Sequence, residues 1–134
     1  PHYEYQLADP EDPKLHRRSI YRFLVRSQQQ PFMTALDCAD PSMLVDKRNQ
    51  TITPLQALAQ LNNQLALAMS KRFAERVAAG SGSLDEQITN AFRLALARLP
   101  SPAERSALVA YASQHGLPNT CRAILNLNEF AFVD

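Results

Sequence analysis

The sequence predicts a mostly α-helical fold, a bundle of four or five helices preceded by an irregular N-terminal arm that could contain one short strand pair. Three segments after residue 52 begin with Ser or Thr followed three residues later by Gln or Glu. Apolar residues then recur at three- and four-residue spacing, as on one face of a helix. We expect one domain over residues 1–134, with an extended arm and loop at 1–52 and a helical core at 53–134.

The first 52 residues lack this pattern. Tyr3–Leu7 predicts a short strand after a proline-rich start. In "RRSIYRFLVRS", residues 17–27, alternating aromatic and branched residues favour a second strand, although Ile20, Phe23 and Leu24 also fit a helical face. Residues 27–52 predict a long ordered loop with one helical turn near Phe32–Leu36. Loops of this length inside a domain are often functional.

Each predicted helix start has the capping-box pattern, in which the side chains of the first and fourth residues bond each other's backbone amides. The boxes begin at Thr53, Ser83 and Ser101. Pro54 and Pro102 suit the first helical position, because that residue needs no N–H donor. Asn119 or Thr120 is expected to cap a last helix.

The first of these helices is expected to bury an apolar stripe and to end near Asn63, which can cap the next helix. That next helix is expected to continue through Val77 and to end at Gly80. The residues predicted to form the buried stripe are Leu55, Leu58, Ala59, Leu61 and Leu65.

Composition excludes several classes of function. The net charge is +1, and residues 1–52 hold seven basic and seven acidic side chains. Nucleic-acid binding requires clustered positive charge, so we expect no nucleic-acid partner. No apolar run reaches the ~20 residues of a membrane span, so we expect no membrane insertion by this segment. The chain begins at Pro1 instead of Met, which indicates a segment of a longer protein.

The sequence contains only weak signals for a catalytic or metal site. Asp37 and Asp40 could bind a hard cation, but two carboxylates are too few, and side-chain turns are the favoured interpretation. Cys38 and Cys121 are interpreted as two buried free thiols, with a long-range disulfide as the alternative. No nucleophile with an adjacent base and no phosphate-binding glycine loop is evident. We therefore predict no catalytic residue, no metal and no cofactor in this domain.

One polar cluster surrounds the first helix start. Free amides and a positive helix end attract anions, and Arg48 could add a guanidinium fork. The favoured alternative is that Arg48 pairs with Asp37, Asp40 or Asp46 and anchors the loop. The candidate anion-binding or loop-anchoring residues are Arg26, Asp37, Asp40, Arg48, Thr51, Thr53 and Gln56.

Five stretches in order, "RRSIYRFLVRS", "LDCADPS", "KRNQTITPLQALAQLNN", "AFRLALARLPSPAE" and "LNLNEFAFVD", resemble a C-terminal domain of unknown function in large planctomycete-type proteins. In that family the domain often accompanies a cytochrome-c-like domain. The resemblance implies export, and so an extracytoplasmic location, but implies no haem in this domain. The family-type positions it carries over are Arg17, Arg18, Tyr21, Arg26, Asp37, Pro41, Arg48, Thr53, Pro54, Gln56, Arg93, Pro102, Glu104, Asn128, Glu129 and Asp134.

The function expected from these observations is a non-catalytic interaction or structural module that packs against upstream domains or a partner. The alternative is half of the substrate cleft of an extracytoplasmic enzyme, polysaccharide-related or redox, that upstream domains complete.

Overall fold

The computed structural model describes residues 4–40, 42–47, 51, 53–80 and 82–132. Within these residues it contains helices and no β-strand, which confirms the mostly α prediction. Five of the helices have nine or more residues, as expected for the bundle. The helices are α1 Pro31–Ala35, α2 Pro54–Asn62, α3 Gln64–Ala79, α4 Leu84–Leu96, α5 Pro102–His115, α6 Leu117–Leu125 and α7 Asn128–Ala131.

The chain forms two compact units, Pro1–Leu65 and Ala66–Asp134. The boundary lies in the first turn of α3, so α2 belongs to the N-terminal unit. The expectation of a single folding domain with a division at residue 52 stays a prediction.

Before α1, the N-terminal unit is built from short turns. Its 3-10 helices are Tyr5–Leu7, Pro13–Leu15 and Ser19–Tyr21, so both strand predictions in this region are wrong. Val25 and Gln28 form a single antiparallel bridge across a tight turn. A strand needs a neighbour for its backbone groups. Here the Val25 amide instead donates to the hydroxyl of Tyr5 at 2.9 Å, and a side chain replaces the partner strand.

Helix α1 confirms the helical turn expected near Phe32–Leu36. The apolar stripe of α2, in contrast, does not lie where it was predicted. Residues Leu55 and Leu58 are 65% and 56% exposed, whereas the polar Gln56 is buried and only 7% exposed. The prediction that these two leucines are buried is therefore wrong for this chain.

The C-terminal unit has a continuous apolar core. Helices α4, α5 and α6 pack against one another, and α7 contacts α4 and α6. Fully burying one large apolar side chain contributes about 1.5–3 kcal/mol, so the buried core residues dominate the stability of the unit. The core consists of Val77, Ile88, Ala91, Phe92, Ala112 and Ile124.

All three predicted capping boxes are present. Thr53, Ser83 and Ser101 each accept the amide of the residue three positions on, and the Gln or Glu there bonds back to the cap amide. Asn63 ends α2 as predicted, and its side chain accepts the Leu65 amide at 2.9 Å.

The predicted cap of α6 is wrong. The helix begins at Leu117, with Gly116 as its N-cap at φ 84°, and Asn119 and Thr120 lie inside its first turns. Their side chains donate back to the carbonyls of His115 and Gly116, as polar side chains inside a helix can. Pro118 in the first turn and the glycine immediately before the helix set this earlier start.

A charged network holds the end of α4 beside the start of α5 and α7. Arg98 donates to both carboxylate oxygens of Glu104, at 3.0 and 2.7 Å, and to Glu129 at 2.8–3.1 Å. Its guanidinium carbon also lies 5.1 Å from the ring centre of Phe92. The bonds from Arg98 are the main cause of the lowered pKa values of both carboxyl groups, and that of Glu104 falls to about 2. This network therefore joins the residues after α4 to the first turns of α5 and α7.

Candidate functional site

The polar cluster at the start of α2 centres on the carboxylate of Asp37. Thr51 donates to it through its amide at 2.6 Å and through its hydroxyl at 2.7 and 3.0 Å. Gln56 donates through Nε2 to Asp37 Oδ2 and to Thr51 Oγ1, each at 2.9 Å. The structure therefore joins the loop after α1 to the first turn of α2 through these three side chains.

Gln56 serves two purposes at once. Its Oε1 accepts the amide of Thr53 at 3.2 Å, and its own amide donates to the Thr53 hydroxyl at 3.2 Å. The capping box fixes the side chain, and its amide nitrogen then points to Asp37. Asp37 has φ 59°, a left-handed conformation that Asp tolerates better than most residues. A turn in that conformation directs its carboxylate toward α2.

The other predicted cluster residues lie apart or outside the described chain. Asp40 forms a side-chain turn, since its Oδ1 accepts the amide and the hydroxyl of Ser42, and its Oδ2 accepts from Gln29. The bond from the Ser42 hydroxyl is the largest cause of its lowered pKa. Arg26 is exposed, and no hydrogen bond or ion pair joins it to another described residue. Arg48 lies outside the described residues, so its pairing stays a prediction.

The hydrogen bonds from Thr51 and Gln56 to the Asp37 carboxylate come from neutral donors. Within the described residues, no group of three or more His, Cys, Asp or Glu side chains could hold a metal ion. Among those residues, no helix is both long and apolar enough to cross a membrane.

Neither cysteine forms a disulfide. Both are free, with Cys121 fully buried and Cys38 half-buried. Burial raises the pKa of the Cys121 thiol to about 12, which keeps it in the unreactive thiol form near neutrality. The sequence interpretation of free thiols is confirmed, although Cys38 is less buried than expected.

Exposed apolar side chains are concentrated in the N-terminal unit. Single exposed apolar residues are normal on a protein surface, whereas a contiguous exposed patch is typical of an interaction surface. Met43, Leu44 and Val45 are three consecutive exposed residues of the loop before α2. The others in the unit are Leu7, Ile20, Tyr21, Phe23, Leu24, Leu55 and Leu58. We call these ten residues the apolar surface.

Sequence reasoning missed two features of this unit. Assigning residues 17–27 to a strand concealed that Arg22 lines a cavity of about 450 Å³. Assigning the α2 leucines to a core concealed the apolar surface. The available signal was the imbalance between many apolar residues and the short, irregular elements available to bury them.

Comparison with known proteins identifies a family for this chain. The model of the family described as "Protein of unknown function (DUF1553)", PSD1, matches residues 1–112. No curated protein and no solved structure matches the chain. The match covers most of the chain, including the cluster around Asp37.

Proposed function

The chain belongs to the DUF1553 family, and we propose that it is a non-catalytic interaction module whose apolar surface packs against upstream domains or a partner. The finer form of the proposal is the C-terminal module of a large, exported, planctomycete-type protein that also carries a cytochrome-c-like domain. In that form the module is extracytoplasmic and binds no haem itself.

The exposure of Leu55 and Leu58 carries this proposal. Both lie on α2, whose capping box is complete and whose Gln56 binds Asp37. The helix is therefore well defined although these two leucines are exposed. Two leucines one turn apart form the start of a helical contact face. The neighbouring loop adds Met43, Leu44 and Val45 to the exposed apolar residues of the same unit. Such a unit gains stability when a second surface covers it.

The test is binding between this chain and the polypeptide encoded immediately upstream of it, measured by isothermal titration calorimetry. Leu58→Gln should weaken binding about tenfold or more, because a leucine that becomes buried at an interface contributes about 1.5–3 kcal/mol. Leu99→Gln is the matched control, since Leu99 is similarly exposed at 60% but lies in the other unit. It should bind like the unmodified chain.

Two results would overturn the proposal. One is equal affinity for the unmodified chain and Leu58→Gln. The other is turnover of a polysaccharide or redox substrate by the isolated chain, which would favour the alternative of an enzyme cleft. For that assay, Asp37→Asn is the informative variant because Asp37 is the central carboxylate of the polar cluster.

A further inference from the structure

Three cavities of the N-terminal unit meet at one side chain, Arg22. Their volumes are about 450, 270 and 290 Å³, and Arg22 lines all three. The largest has the size of a small-molecule site, for which volumes of roughly 300–1,000 Å³ are usual. The cavities also share walls, because Tyr5 and Leu15 line the first two and Phe32 lines the first and third.

The charge around these cavities is one-sided. Arg17 lines two of them and Lys14 lines one, whereas none of their described lining residues is Asp or Glu. This is notable in a segment whose basic and acidic residues are equal in number over positions 1–52. Asp12 and Asp9 are engaged elsewhere, since their side chains accept the backbone amides of Lys14 and Glu11. The described lining of the cavities therefore carries positive charge alone.

Arg22 itself is half-buried. No hydrogen bond or ion pair joins its guanidinium to another described residue. Partial burial removes some of its hydration, and a guanidinium offers a planar fork of donors that fits a carboxylate or a phosphate. At Arg98, in contrast, two carboxylates satisfy the fork.

Two aromatic side chains, Tyr5 and Phe32, line the largest cavity beside Arg22 together with four polar amide side chains, and hydrogen bonds hold this wall in place. The Tyr5 hydroxyl accepts the Val25 amide at 2.9 Å and donates to the Phe23 carbonyl at 3.4 Å. Gln30 caps α1 by accepting the Met33 amide, which fixes the turn that presents Phe32. A cavity with a cationic anchor and aromatic walls suits a ligand that has an anionic group on a flat apolar body.

We propose that Arg22 anchors a binding site for a small organic anion, a carboxylate or phosphate attached to a flat apolar group. Arg22 receives the anionic group, and Arg17 and Lys14 add positive potential at the cavity mouths. Tyr5 and Phe32 contact the apolar body. This site is separate from the cluster around Asp37 and does not depend on the proposed interaction function.

The experiment titrates the 134-residue chain with phenyl phosphate and with benzoate, and follows backbone amide resonances by NMR. Inorganic phosphate supplies the charge without the apolar body, and benzyl alcohol supplies the body without the charge. Saturable shifts should occur at the amides of Leu15, Gln30 and Phe32 with the two aromatic anions. Inorganic phosphate and benzyl alcohol should bind about tenfold more weakly or worse.

Arg22→Gln should weaken binding of the aromatic anions about tenfold or more, and Arg22→Lys should give an intermediate loss because it keeps the charge without the fork. Arg26→Gln is the matched control, since it makes the same charge change at an exposed arginine that lines none of the three cavities. Far-UV circular dichroism confirms that each variant keeps its helices.

Equal weakening by Arg22→Gln and Arg26→Gln would overturn the proposal, because the attraction would then be non-specific. Binding of inorganic phosphate as tight as that of phenyl phosphate would also overturn it, as would shifts that never saturate. If Arg22→Gln loses its fold, the positions of the shifts in the unmodified chain and the affinity of Arg22→Lys decide between the same outcomes.

Discussion

Replacing Gln56 tests the link between the loop and α2. Gln56→Ala removes the 2.9 Å bond from Nε2 to the Asp37 carboxylate and the 3.2 Å bond from the Thr53 amide. A hydrogen bond to a charged group contributes about 1.5–3 kcal/mol and a neutral one about 0.5–1.5 kcal/mol. Because Gln56 is 93% shielded from solvent, water does not readily replace these partners. We expect α2 to lose about 2–4 kcal/mol of local stability.

The variant Gln56→Glu adds a second test, because its effect on stability should depend on pH. The introduced carboxylate would face Asp37 Oδ2 at hydrogen-bonding distance, and two like charges there repel each other. At pH 7 this variant should be less stable than Gln56→Ala. The repulsion raises the folded-state pKa of the introduced carboxyl above its unfolded value, so stability should be regained as the pH falls. Near about pH 4 the protonated group can donate to Asp37 as the amide does.

Hydrogen exchange of the α2 amides measures this loss, because it reports local opening of a helix separately from global unfolding. Gln64→Ala is the control, as Gln64 is an exposed glutamine at the first residue of α3. The amides of α4 serve as an internal reference. If Gln56→Ala and Gln64→Ala change α2 protection equally, within about 0.5 kcal/mol, the anchoring role assigned to Gln56 is wrong.

The remaining predictions concern helix starts, acid stability and the apolar surface. Ser83→Ala and Ser101→Ala should each cost about 1 kcal/mol in urea denaturation, because each removes a cap bond of 3.2 Å, and no change in either would contradict the caps. The pKa of Glu104 is lowered to about 2 by Arg98 and by the Ser101 amide, so its contribution is complete above the unfolded value of about 4.5 and is lost as the pH falls from there toward about 2. Glu104→Gln should flatten the stability–pH curve in that window, and an unchanged slope would exclude Glu104 as its source. Leu55→Gln combined with Leu58→Gln should alter the stability of the isolated chain by less than about 1 kcal/mol, whereas a loss of several kcal/mol would mean that these leucines are buried in solution.

The polar cluster around Asp37 shows how much of a site can be predicted from residue patterns in the sequence. Thr53 and Gln56 are paired by a local rule, the capping box, so their bonds were predictable from a spacing of three residues. Asp37 lies 19 residues before Gln56, and no local rule selects it over Asp40 or Asp46. The turn with positive φ at Asp37 decides which carboxylate reaches α2. Sequence reasoning therefore included Asp37, Thr51, Thr53 and Gln56 among its candidates without giving their contacts, whereas Asp40 lies in a separate turn and Arg48 lies outside the described residues.

The sequence by itself determined the helices of residues 53–115, because caps, prolines and helix-ending glycines act within one turn of the backbone. It did not determine the start of α6, where a glycine and a proline outweighed two good capping side chains. Only the tertiary structure decided which apolar faces are covered. The stripe of α4 is buried against α5 and α6, while Leu55 and Leu58 of α2 remain exposed. Burial requires a second surface at the right distance, and that surface is supplied by distant parts of the chain or by another protein.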